Sequence, residues 1–161
     1  YKMTSIIEID ETGRLTEYFT LTIPRYEGDS SLGFGAASLE YIVVNGKEES
    51  VEELVEKAPD GQYRLHLPEY LAPGSPVDLL VVVRPSDRPK KLEDGRRRLE
   101  GQIHLTEKLI YVFAIRLPAK AEFLEASPQP TELRKNCGTT VIWQNVLQPD
   151  QKVYFSLEYR L

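Results

Sequence analysis

The feature that most constrains this chain is alternation of side-chain polarity at every second residue, clearest at its end. From Val153 to Leu161, Val153, Phe155, Leu157, Tyr159 and Leu161 fall on one side of an extended backbone; Tyr154, Ser156, Glu158 and Arg160 fall on the other. A period of two is the mark of a half-buried β-strand. Leu15 to Ile23 repeats it, with Phe19, Leu21 and Ile23 inward and Thr16, Thr20 and Thr22 outward. A strand from about Thr4 to Ile9 precedes it across Asp10-Glu11-Thr12-Gly13, so the two predict an opening hairpin.

Further strands are expected at Leu39 to Val44, Tyr63 to Leu67, Val77 to Arg84, Lys108 to Leu117, Glu122 to Ala126 and Thr139 to Gln144. Asn45-Gly46 accepts the positive φ angles of a type I′ turn and predicts a returning strand. Val51, Leu54 and Val55 among glutamates fit a short helix near 50–57 or an irregular edge strand. Leu79 to Val83 and Ile110 to Ile115 are almost continuously apolar, which predicts central strands buried on both faces. Pro118, Pro128 and Pro130 fall at strand margins, where a missing amide donor is tolerated. With ten to twelve short strands and no ten-residue helices between them, the fold class expected is an all-β antiparallel β-sandwich.

We read residues 1–161 as one sandwich domain. The charged segment Pro85 to Gly101, nearly free of apolar residues, is expected to be a long loop or a join between two lobes. At 161 residues the chain is long enough to build a core without covalent staples. Its one cysteine excludes an internal disulfide, and two histidines leave little for metal chemistry. No apolar run approaches the length that spans a bilayer. A start at Tyr1 and a strand running into the last residue are what a domain cut from a longer protein, or a mature product, would show.

A net charge of −5 argues against a nucleic-acid partner. Charge is nonetheless clustered. Arg84, Arg88, Lys90, Lys91, Arg96, Arg97 and Arg98 face only Asp87, Glu93 and Asp94 within one stretch. Arg88, Lys90, Lys91, Arg96, Arg97 and Arg98 are therefore the candidates for an anionic partner such as lipid, glycan or acidic protein. A solvated loop is the plainer reading, and the acidic run Glu48 to Glu56 could pair with the segment.

Catalytic patterns are weak throughout. Cys137 sits in Asn136-Cys137-Gly138 beside a turn, and only His66 or His104 could serve it as a base. Gly33-Phe34-Gly35-Ala36-Ala37-Ser38 is glycine-rich, but a strand rather than a helix follows, so a phosphate cradle is not expected. Gly74-Ser75-Pro76 is a turn and not a nucleophile elbow. No enzyme activity, cofactor or metal is expected. Trp143 shares the phase of Val141 and is assigned to the core; Tyr18 and Tyr154 are out of phase with their apolar neighbours and are the candidate exposed aromatics.

From Arg116-Leu117-Pro118 onward, Ala126-Ser127-Pro128-Gln129-Pro130, Thr140-Val141-Ile142-Trp143, Leu147-Gln148-Pro149 and Phe155-Ser156-Leu157-Glu158-Tyr159 succeed one another. This order resembles the end of immunoglobulin-like β-sandwich domains in prokaryotic, notably archaeal, cell-surface and membrane-anchored proteins. The resemblance covers about a third of the chain and implies an extracytoplasmic module displayed beside a membrane anchor, with cytoplasmic residence left open. It implies no site residues.

Three functions follow in order. The first is a non-enzymatic spacer or protein-interaction module of an envelope protein, including self-association through sheet edges. The second is a carbohydrate-binding or accessory domain of a glycan-active protein. The last is an enzyme of unrecognised type.

Overall fold

The computed structural model describes residues 1–28, 31–35 and 37–161. In chain order the strands are β1 (Lys2–Ile9), β2 (Leu15–Ile23), β3 (Ser31–Gly33), β4 (Ala37–Val44), β5 (Lys47–Glu49), β6 (Val55–Lys57), β7 (Tyr63–His66) and β8 (Val77–Pro85). They continue as β9 (Lys90–Lys91), β10 (Arg96–His104), β11 (Leu109–Arg116), β12 (Glu122–Ser127), β13 (Glu132–Arg134), β14 (Thr140–Leu147) and β15 (Lys152–Arg160). One helical turn, α1 (Val51–Leu54), separates β5 from β6, so the segment near 50–57 is part helix and part edge strand. The strands exceed the expected number because two- and three-residue pairings carry no readable alternation.

The strands form three sheets: eight strands in the order β13-β14-β11-β1-β2-β8-β4-β5, four as β12-β15-β10-β9, and three as β3-β7-β6. Asp10 closes the first hairpin, its Oδ1 accepting the amides of Thr12 at 2.8 Å and Arg14 at 2.9 Å. Asn45 and Gly46 take φ of 49° and 80°, the twin positive angles expected of that turn. One ladder departs from the antiparallel rule, since β1 runs parallel to β11.

The second layer consists of the two smaller sheets. At the β11–β14 end, Phe155 of β15 meets Phe113, Trp143 and Tyr111 with ring centroids 4.7, 5.0 and 6.1 Å apart. Trp143 is buried as expected and donates its Nε1–H to the Pro128 carbonyl at 2.7 Å. Toward the other end, Phe34, just after β3, meets Phe19 of β2 edge-on at 5.3 Å. The buried apolar side chains form one continuous cluster across all three sheets.

Four expectations require correction. Pro85 to Gly101 is not a bare loop, because it carries β9, a short 3₁₀ turn at Glu93–Gly95 and much of β10. Leu161 lies beyond the last strand and is exposed rather than inward. Glu158, assigned to the polar face of its strand, is 3% exposed. Finally, β8 and β11 are sealed on one face only. Val77, Leu79, Val81 and Val83 are buried while Leu80 and Val82 are half-buried; Ile110, opposite in phase to Tyr111, is 44% exposed.

Candidate functional site

The six basic candidates do not form one ligand-facing patch. Arg88 lies in the loop after β8, its Nη1 donating to the Thr12 carbonyl at 3.4 Å. Lys90 and Lys91 form the edge strand β9 beside Arg98 and Arg97. Arg96 and Arg98 stand two residues apart on β10 and so share a face. Directly opposite, Glu158 of β15 receives Arg98 Nη2 at 2.6 Å, Arg98 Nε at 3.0 Å and Arg96 Nη1 at 3.2 Å. The Arg98 guanidinium holds the Glu158 carboxyl below the ordinary range, against the opposing pull of burial. Two of the six cations are thus committed to a structural pair. The acidic run meets other partners: Glu49 lies 3.9 Å from Lys47 and accepts the Tyr70 hydroxyl, and Glu56 lies 3.5 Å from His66.

Cys137 is exposed, with φ of 52°, in the turn joining β13 to β14. Each histidine faces a carboxylate: His66 of β7 meets Glu56 on the neighbouring strand β6 of the same sheet, and His104 of β10 lies 3.7 Å from Asp150 in the turn between β14 and β15. Among the described residues no three metal-ligating side chains gather. No described helix is long and apolar enough to cross a membrane. Of the glycine-rich segment, Ala36 lies outside the described residues, and β4 follows it as a strand.

Tyr18 is 40% exposed on β2 of the eight-stranded sheet, and Tyr154 is 65% exposed on β15 of the four-stranded sheet. They share no sheet and hence no common stacking platform. Tyr18 instead belongs to a row that sequence reading missed. The registers align Ile142, Ala114, Ile6, Tyr18, Val82 and Tyr41 across β14, β11, β1, β2, β8 and β4. The adjacent row runs Val112, Thr4, Thr20, Leu80 and Val43. At ~4.8 Å per strand the first row spans about 24 Å. Ile6, Tyr18, Tyr41, Ile110 and Val146 are all exposed on this outer face, and its margin carries the ion pairs Arg116–Glu8 at 3.7 Å and Arg84–Glu40 at 2.7 Å. The signal in the sequence was the set of apolar residues occupying outward phases of β8 and β11.

The inner face holds a carboxylate among aliphatic neighbours. Glu17 projects in phase with Leu15 and Leu21, and Ser5 Oγ donates to its Oε1 at 2.8 Å. Burial pushes this carboxyl above its ordinary range, with the Ser5 hydroxyl pulling the other way.

No protein-family model and no curated protein matches the chain. Solved structures do. The M1 zinc metallopeptidase from Deinococcus radiodurans matches with a TM-score of 0.55 at 16% identity, over 99% of this chain and 40% of that one. Legionella pneumophila aminopeptidase A in complex with aspartic acid matches at 0.61 and 11% identity, over 99% and 21%. Native leukotriene A4 hydrolase from Saccharomyces cerevisiae matches at 0.64 and 8% identity, over 98% and 28%. The chain therefore spans well under half of each of these proteins, and at such identities the likeness is one of all-β, sandwich-like fold.

Proposed function

We propose that the chain is a non-enzymatic β-sandwich module of an envelope or surface protein, outside the cytoplasm, that holds another folded protein unit against the outer face of its eight-stranded sheet. The observation that carries this reading is the apolar row from Ile142 to Tyr41, in which Ile6, Tyr18 and Tyr41 are exposed beside half-buried Val82 and Ile142, an apolar surface of the kind that marks interaction sites. Tyrosines at two points of the row suit an interface, being large, stiff and amphipathic. The solved structures lend support of a general kind, because in those longer chains this fold is one part among others. The extracytoplasmic setting rests on the sequence resemblance of the last third.

The test is site-specific photocrosslinking in the source cells, with a benzophenone amino acid at position 18 of the native-length polypeptide and, as control, at position 154. The reading expects an adduct from position 18 that maps to one reproducible segment of another folded unit, on the same or a different polypeptide, and that is lost on Ile6→Lys. No adduct above the control would overturn it. An adduct joining two copies through this face would replace the occupant by a second copy of the chain.

A further inference from the structure

A cleft of about 440 Å³ opens at the corner where the start of β2, the start of β4 and the end of β8 meet β6 and β7. Its charge is one-sided. Arg14, Lys57, Arg84 and Arg88 line it against a single aspartate, Asp87, in a chain whose net charge is −5. The four cations come from four separate places: the β1–β2 turn, the end of β6, the end of β8 and the loop after it. Arg84 and Arg88 are near neighbours in the chain, but Arg14 and Lys57 reach the cleft only through the fold. Their commitments differ. Arg84 Nε is held by Glu40 at 2.7 Å, and Lys57 Nζ lies 5.8 Å from the centre of the Tyr63 ring. The Arg88 contact to the Thr12 carbonyl, long at 3.4 Å, leaves most of its five donors available. The ring of Tyr63, with Pro85 and Ala37, supplies apolar wall beside these charges.

We propose that this corner cleft binds a small organic anion, a phosphate monoester or carboxylate attached to an apolar or aromatic body. Guanidinium forks match the paired oxygens of both groups, and the volume lies within the usual range for small-molecule sites. Arg14 and Arg88 take the anionic group; Tyr63 and Pro85 pack against the body. Of the six basic residues singled out in the sequence, only Arg88 belongs to this site, and it acts with Arg14, Lys57 and Arg84 rather than with Lys90 to Arg98. The site touches the margin of the outer face at Arg84, which Glu40 holds, and the residues that take the anion, Arg14 and Arg88, lie apart from that apolar row.

The test is ¹H–¹⁵N NMR titration of the full chain with phenyl phosphate, benzoate, inorganic phosphate and, as neutral control, benzyl alcohol. Saturable shifts are expected at Ser38, Gly61 and Arg88 with the aromatic anions, weakening with added salt. Arg14→Gln with Arg88→Gln should reduce affinity by about tenfold or more, as loss of charge-assisted bonds implies. Arg134→Gln, which removes a cation paired with Glu132 at 2.8 Å on an edge of the sheet, should leave it unchanged. If the double variant is misfolded by its spectrum, Lys57→Glu serves as the second reading of the same loss. Phenyl phosphate and benzoate titrated side by side distinguish the two acid classes, and inorganic phosphate shows what the apolar body adds. Absence of saturation into the millimolar range, or equal binding by the variants, would overturn the proposal, as would benzyl alcohol binding as well as the anions.

Discussion

At β8, the two faces of the eight-stranded sheet differ far less in composition than in cover. Along β8, Leu79, Val81 and Val83 point inward while Leu80 and Val82 point outward, all five aliphatic. The inner set lies under the two smaller sheets and is buried; the outer set is half-buried beside an exposed Tyr18 and Tyr41. Apolar character therefore marks a face suited to burial, and a second element of structure decides whether burial occurs. On the inner face that element is in the chain itself. On the outer face it is the partner proposed above.

Substitutions on opposite faces sharpen this contrast. The largest effect is expected for Phe155→Ala, which removes a ring touching Tyr111, Phe113 and Trp143 and leaves a cavity. Urea unfolding should show a loss of about 4 kcal/mol with little change in slope; a loss like that of a surface site would mean that the second layer contributes little. Glu17→Gln probes the carboxylate on the same face. Because its carboxyl is raised in the folded chain, the folded state keeps a proton that the unfolded state has already released. Stability contributed by Glu17 is thus highest below the unfolded pKa and falls as pH rises through the folded one. The glutamine variant should flatten that decline and be the more stable of the two at neutral pH, measured by denaturation at several pH values. A variant that parallels the parent across acid and neutral pH would refute this. The smallest effect is expected for Ile6→Thr on the uncovered face, a change of about 0.5 kcal/mol or less in the isolated chain. A large loss would show that the outer row is already sealed.

Much of the architecture was legible because it is local. The alternation in β15, the Asp10 turn and the Asn45-Gly46 turn each depend on a few adjacent residues, and each formed where expected. What escaped reading was set by distant partners. Nothing near Lys2 to Ile9 announces that β11 will lie parallel beside it. Arg96-Arg97-Arg98 reads as solvated because the carboxylate that answers it is far along the chain, at Glu158. The same holds for the corner cleft. Arg84 and Arg88 share a basic stretch, but nothing in the sequence ties Arg14 and Lys57 to them, and only the meeting of two sheets collects the four. Tyr18 and Tyr154 are both exposed, yet polarity phase says nothing about whether two outward residues share a sheet.

The carboxylate of Glu158 has a consequence for how the four-stranded sheet assembles. Sliding β15 by one position against β10 would exchange its two sides, putting Glu158 among the aromatic rings and Tyr159 or Leu157 between the two guanidinium groups. An unanswered charge in an apolar layer is among the costliest defects a fold can carry. The fork of Arg96 and Arg98 therefore acts as an alignment key: it admits one pairing of the final strand and rejects its nearest misaligned competitors.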